Sequence, residues 1–197
     1  MTETYRCVYQ FKITVKGITP PIWRRIQVPE TYTFWELNAA IQDAVGWLGG
    51  HLYEFTIVNP KTGIDDTIGM PDGESDRSVQ DGRKERIAAY FSLKNKKAAY
   101  VYDFGDYWEH TVVLEKIVPA DPTTDYPCCI AGKRCGPPDD VGGIPGYEEF
   151  VSIMKNPRHK EHDEMIDWYG GPYDPEEFDC TQVVFNDPDT MLFMMDE

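Results

Sequence analysis

Apolar and polar residues alternate almost without a break from Tyr5 to Lys16. Tyr5, Cys7, Tyr9, Phe11, Ile13 and Val15 fall on one side, and Arg6, Gln10, Lys12, Thr14 and Lys16 on the other. That period of two is the signature of a half-buried strand. Gly17 to Pro21 favours a turn, and Ile22 to Val28 reads as the returning strand, with Ile22, Ile26 and Val28 on one side and Arg24-Arg25 on an exposed rim. The period then changes. Thr33 and Glu36 have the spacing of a capping box, and Phe34, Leu37, Ile41, Ala44, Val45 and Leu48 trace one helical stripe that Gly49-Gly50 would end. His51 to Val58 returns to alternation, with His51, Tyr53, Phe55 and Ile57 on one face.

The most ordered pattern lies in the middle, at Tyr100 to Lys116, YVYDFGDYWEHTVVLEK. Trp108, His110, Val112 and Leu114 share one face of a strand, and Glu109, Thr111, Val113 and Glu115 the other. Ala98 to Tyr102 is its partner strand, and Gly105 is expected to supply the freedom for the reversal between Asp103 and Asp106. The letters DFG occur there without any other part of a kinase signature, so they carry no kinase meaning.

Between these segments the pattern fades. Asn59 to Lys84 has no usable period and reads as a long loop or insertion. Glu85 to Leu93 reads as a short helix with Ile87, Tyr90 and Phe91 inward. Asp121 to Gly146, DPTTDYPCCIAGKRCGPPDDVGGIPG, is too rich in Pro and Gly for a regular ladder of its own. Tyr147, Phe150, Val151 and Met154 have helical spacing, as do Met165, Ile166 and Trp168 within Glu161 to Tyr169. Asp174-Pro175-Glu176-Glu177 has the letters of a helix start, and an acidic tail runs from Asp187 to Glu197.

The expectation is therefore an α+β fold over residues 1–197 as one domain. It has a mixed or antiparallel sheet, a β-grasp-like ββαβ opening in a sheet-rich part (5–118), an irregular segment (119–146), a helical C-terminal third (147–186) and a tail (187–197).

Composition narrows the chemistry. The 197 residues carry 34 Asp and Glu against 19 Lys and Arg, a formal net charge of −15. Such a surface repels phosphate backbones, so broad nucleic-acid binding is disfavoured. No apolar run approaches the ~18 residues of a membrane span, and MTETYRCVYQ lacks the regions of a signal peptide, so a cytoplasmic protein with no membrane role is expected. Five cysteines do not form the framework of a secreted disulfide scaffold. No dinucleotide or phosphate-loop fingerprint is present, so no organic cofactor is expected.

Five separated motifs, IWRRIQVP, HLYEF, YDFGDYWEH, CIAGKRCGPPDDVGGIPGY and HDEMIDWYGGPYDPEEFD, stand in an order that resembles the plasmid pRiA4b ORF-3-like family over nearly the whole chain. The resemblance implies a compact α+β domain of uncharacterised activity, with members linked to plasmids and mobile elements by association. The family's glycine-rich segment usually reads Cys-Pro-Pro-Glu-Asp. Here it is Gly136-Pro137-Pro138-Asp139-Asp140, with the cysteine one place earlier at Cys135, so a metal role for that cysteine does not carry over on the resemblance alone.

Three functional classes follow, in this order. The first is a binding module for a protein or peptide partner. Its surface would come from Tyr100, Tyr102, Phe104, Tyr107 and Trp108 beside a carboxylate-rich rim that suits a basic or apolar ligand. Its candidate cleft is His51, Asp103, Asp106, Trp108 and His110. The alternative is a metal-binding protein or metal-dependent enzyme using the same hairpin with His110, Cys129 or Cys135, since imidazole, thiolate and carboxylate are the ligands zinc takes. Against it, His110 shares the apolar face of its strand, and the cysteine spacing is not that of a known zinc motif. Asp103 and Asp106 can act as a carboxylate pair or simply cap their turn. Asp139-Asp140 beside Gly142-Gly143 can grip a cation or form a solvated turn. The third class is a nucleic-acid-associated protein, with Arg24-Arg25, Arg83 to Arg86 and Lys94 to Lys97 as its basic candidates.

Overall fold

A computed structural model describes residues 5–71 and 78–190. The last seven residues of the acidic tail and part of the 59–84 segment lie outside the described residues. Among the described residues eight strands form one mixed sheet: β1 (Cys7–Val15), β2 (Trp23–Pro29), β3 (Tyr53–Val58), β4 (Asp65–Gly69), β5 (Val79–Asp81), β6 (Lys97–Tyr102), β7 (Trp108–Pro119) and β8 (Cys128–Lys133). Their order is β5-β4-β3-β6-β7-β1-β2-β8. All neighbours are antiparallel except β4 and β5. The fold is α+β. Hairpin, helix and strand follow one another as expected at the start, but β3 does not join β1, because β6 and β7 lie between them.

The helix α1 (Phe34–Val45) begins with the anticipated box, Thr33 and Glu36 each closing on the other's backbone N–H. It lies across one sheet face and touches both β2 and β4. It stops earlier than the stripe implied. Gly46 adopts the left-handed conformation as C-cap, and Leu48 is 77% exposed. Beneath α1 the aromatic core has two ends. Phe34 packs edge-on against Phe55 (5.2 Å) and near Phe91, which meets Phe11 at 4.9 Å. At the other end Trp47 stacks on Tyr102 at 4.6 Å and meets the edge of His110. The short helix α2 (Ile87–Tyr90) turns Ile87, Tyr90 and Phe91 inward.

Two segments without a readable pattern contribute strands. β4 and β5 arise inside the 59–84 stretch, and β8 inside 121–146. Sequences such as DDTIG and CCIAGK carry little strand propensity of their own. Their ladders are completed by β3 and β2, so tertiary pairing overrides local preference. The helix expected from Asp174 does not form. The Asp174 carboxylate accepts from the Glu176 N–H in a turn, and a single 3-10 turn follows at Cys180–Gln182.

Arg24 corrects another expectation. It is 2% exposed rather than on a rim, because it shares the inward side of β2 with Ile22 and Ile26. Its guanidinium donates to the carbonyls of Ala44 (2.6 Å), Trp23 (3.0 Å) and Lys133 (3.2 Å), and lies 3.7 Å from the Phe178 ring centre. Burial pulls its pKa down to about 10. Removing it leaves three carbonyls short of a donor, so Arg24→Ala is expected to lower unfolding free energy by about 3 kcal/mol in urea titration. Arg25 instead pairs with Glu115 through two hydrogen bonds of 2.6 and 2.9 Å.

The C-terminal helices are α3 (Gly143–Met154) and α4 (His162–Tyr169). They meet around Phe150, which packs edge-on against Trp168 (5.8 Å) and Tyr173 (5.0 Å).

Candidate functional site

Three segments distant in sequence converge at one end of the sheet: the stretch between α1 and β3, the β6–β7 turn, and the loop leading into α3. Each is held there for a local reason. The β6–β7 turn spans residues 103–107. Asp103 and Tyr107, not Gly105, take the positive φ angles of 56° and 57°. Asp103 sustains the turn with its own side chain, its Oδ1 accepting from the Gly105 N–H at 2.8 Å, the short-range bonding that suits aspartate to such positions. Its backbone N–H donates to the Leu52 carbonyl, which fixes the turn against the segment before β3.

The loop is fastened at two ends. The Trp47 indole N–H donates to the Pro137 carbonyl at 2.9 Å. Gly136 passes so close to α1 that a Cβ there would lie 2.1 Å from the Val45 carbonyl oxygen. At the other end the Asp106 carboxylate accepts from the Gly142 N–H at 3.0 Å. Gly142 is the N-cap of α3 and has no side chain to cap with, so the hairpin supplies the capping carboxylate from outside. Between these ties Asp139 accepts from the Leu48 N–H at 2.9 Å.

The result is a cluster of His51, Asp103 and Asp140, one potential ligand atom from each lying within 4.8 Å of the others. His51 Nε2 is 3.1 Å from Asp140 Oδ1, and His51 Nδ1 is 3.9 Å from Asp103 Oδ1. Burial raises the pKa of the neighbouring Asp139 carboxyl, Asp140 adds to the rise, and the Leu48 N–H and His51 oppose it. Tyr102 forms the floor, its ring edge-on to His51 at 5.7 Å. Its hydroxyl is buried beside the Asp139 carboxylate, to which it donates.

Of the expected cleft residues, the structure brings His51 and Asp103 together and adds Asp140. Asp106 lies at the same end but is engaged in capping α3. Trp108 (1% exposed) and His110 (0%) belong to the core. The His110 ring lies between the Trp47 and Tyr100 rings. Burial, only partly offset by the backbone at Trp108 and Tyr100, pushes its pKa down to about 4. Cys129 and Cys135 also fall outside the cluster. All five cysteines are free thiols, and burial raises Cys129 to about 11 and Cys135 in the same direction. The anticipated aromatic surface divides. Tyr100, Tyr102 and Trp108 are core, whereas Phe104 and Tyr107 are 46% and 55% exposed at the tip. The sequence offered Asp140, with Asp139, as either a cation grip or a solvated turn without naming His51 as its neighbour, and parity with Tyr53 gave His51 a strand position it does not occupy.

Asp140 also borders a groove of about 290 Å³ between α3 and α4. Phe150, Ile153, Met165 and Trp168 line it, and Glu149 and Glu161 stand with Asp140 among its acidic residues. Lys160, itself mostly exposed, reaches Glu161 at 2.9 Å. Among the described residues, no helix is long and apolar enough to cross a membrane.

These features define an α+β protein with a mixed sheet of eight strands and an acid-rich, partly apolar surface at one end. The chain belongs to the plasmid pRiA4b ORF-3-like family, which it matches over residues 7–182. It is 36% identical over 164 residues to the uncharacterised protein y4hQ of Sinorhizobium fredii, covering 83% of this chain and 81% of that one. It is also similar to the crystal structure of a protein of unknown function from Methanosarcina mazei Go1. That likeness has a TM-score of 0.85 and 47% identity, covering 92% of this chain and 100% of the other.

Proposed function

We propose that this protein is an intracellular binding module that grips a basic, apolar-tipped segment of a protein partner in the groove between α3 and α4. The observation that carries this reading is the groove's own chemistry, an apolar lining of Phe150, Ile153, Met165 and Trp168 beside the carboxylates Asp140, Glu149 and Glu161. Trp168 is 47% exposed, and an open indole face beside carboxylates suits a lysine or arginine that can stack and pair at once. The chain's Lys160 already rests against Glu161, so a cation has a precedent at that position. A net charge of −15 adds long-range attraction for basic partners. Service to a plasmid or mobile-element system, suggested by family association, belongs to the same proposal.

The nucleic-acid reading draws less support, because Arg24 is buried and Arg25 and Arg83 are paired with carboxylates. Binding of fluorescent Lys/Arg-rich apolar peptides, followed by anisotropy, tests the proposal. The expected result is affinity that falls with salt, drops at least tenfold in Trp168→Ala, and weakens in Glu149→Gln/Glu161→Gln. Equal binding of acidic and basic peptides, or none of either at low salt, would remove it.

A further inference from the structure

We infer that a second cavity, walled by the β1–β2 turn, the residue after β8 and one face of α3, binds a short monocarboxylate.

Arg134 carries this inference. It follows β8 directly and takes a left-handed φ of 68°, a conformation that costs a non-glycine residue free energy and tends to occur at ligand sites. Its side chain is nonetheless held inside, and the residue is 4% exposed. A guanidinium has five N–H donors. Nε donates to the Glu176 carboxylate at 2.9 Å, and Nη1 donates to the Pro20 carbonyl. Nη2 has no acceptor among the described residues. A buried guanidinium with donors to spare matches the planar, two-oxygen edge of a carboxylate.

The cavity that Arg134 lines holds about 210 Å³. That is below the ~300–1,000 Å³ of drug-sized sites, so its occupant is small. Lys155, the C-cap of α3, lines it too and has no carboxylate partner among the described residues. Ile18, Pro20 and Val151 add apolar walls that suit a short hydrocarbon tail. Glu148 and Glu176 stand at the same opening. Their charge opposes a dianion more than a monoanion, which favours a single carboxylate over phosphate. Tyr147, Val151 and Lys155 recur every four residues along this face of α3, whereas Gly146, Phe150 and Ile153 line the peptide groove. The two sites share no lining residue, so this one does not rest on the groove reading. The rival explanation is structural, with Arg134 serving only to tie the end of β8 to Pro20 and Glu176.

Calorimetry on the full-length protein, in low-salt buffer free of carboxylates, decides between them. Butyrate should bind at one site per chain with submillimolar Kd, and butyramide and phosphate at least tenfold more weakly. Butyrate should also shift the Arg134 Nε–H resonance in a nitrogen-15 correlation spectrum. Lys155 and Glu176 are exposed, so their variants should fold, as circular dichroism would check. Lys155→Met should weaken butyrate at least fivefold, and Glu176→Gln, which removes the competing charge, should strengthen it at least threefold. A purely structural Arg134 predicts neither change. Overturning results are no measurable binding of butyrate, butyramide or phosphate binding as tightly, an Arg134 resonance that does not respond, or affinity that either variant leaves unchanged. Trp168→Ala should bind butyrate as the wild type does, so failure here and failure of the groove reading are told apart.

Discussion

Trp47→Ala is expected to lower the unfolding free energy by about 4 kcal/mol, the largest effect of any single change near the site. Truncating a buried large aromatic ring costs about 3–5 kcal/mol through lost transfer energy and the cavity left behind. Trp47 is 3% exposed and touches the Tyr102, Trp108 and His110 rings at once. Its N–H is also the donor for the Pro137 carbonyl, so the alanine variant orphans a buried acceptor as well. The damage should spread to the loop that carries Asp139 and Asp140. Trp47→Phe keeps most of the ring contact and loses the hydrogen bond, so its cost should be nearer 1–2 kcal/mol. Urea titrations of both variants give the comparison. A loss below 1 kcal/mol in Trp47→Ala would mean that this tryptophan does not join the loop to the hairpin.

Acidification should expose the second large effect, carried by His110. Its ordinary pKa of 6.5 falls to about 4 in the fold because burial disfavours the charged ring. The unfolded chain therefore takes up the proton first. The stability contributed by neutral His110 is complete above pH 6.5, is lost as pH falls towards 4, and does not change further below that. The gap of about 2.5 pH units corresponds to roughly 3 kcal/mol. Asp43 and Asp139, whose carboxyls burial raises, act in the opposite sense, so the informative quantity is the difference between the wild type and His110→Leu at each pH. That difference should grow by about 3 kcal/mol between pH 7 and pH 4. At pH 7 the leucine variant should be within about 1–2 kcal/mol of wild type, since an apolar side chain of similar size replaces a neutral, fully buried ring. A flat difference across the range would mean that the ring is reached by water or by a proton partner in solution.

The two residues show how unevenly the site could be read. The alternation Trp108, His110, Val112, Leu114 already carried the answer for His110, because a strand's period of two puts every second residue on the same face. Its titratable ring suggested chemistry that its position denied. Arg24 is the same lesson reversed. Parity with Ile22 and Ile26 pointed inward, but its charge argued for the rim, and the carbonyls that make burial tolerable belong to Ala44 and Lys133, residues distant in sequence. Asp140 gave no such signal. An aspartate in a glycine-rich loop looks the same whether it meets solvent or a histidine 89 positions away.

Local regularity settled the central hairpin, the first hairpin, the capped start of α1 and the α+β class, because repeating periods and capping pairs act between residues a few positions apart. Tertiary pairing decided the rest. β4 and β8 exist because neighbouring strands complete their ladders. Gly46 ends α1 where the chain turns towards the β6–β7 turn, and His51, Asp103 and Asp140 become one cluster only when three distant segments are fastened by Trp47, Asp106 and the close approach at Gly136.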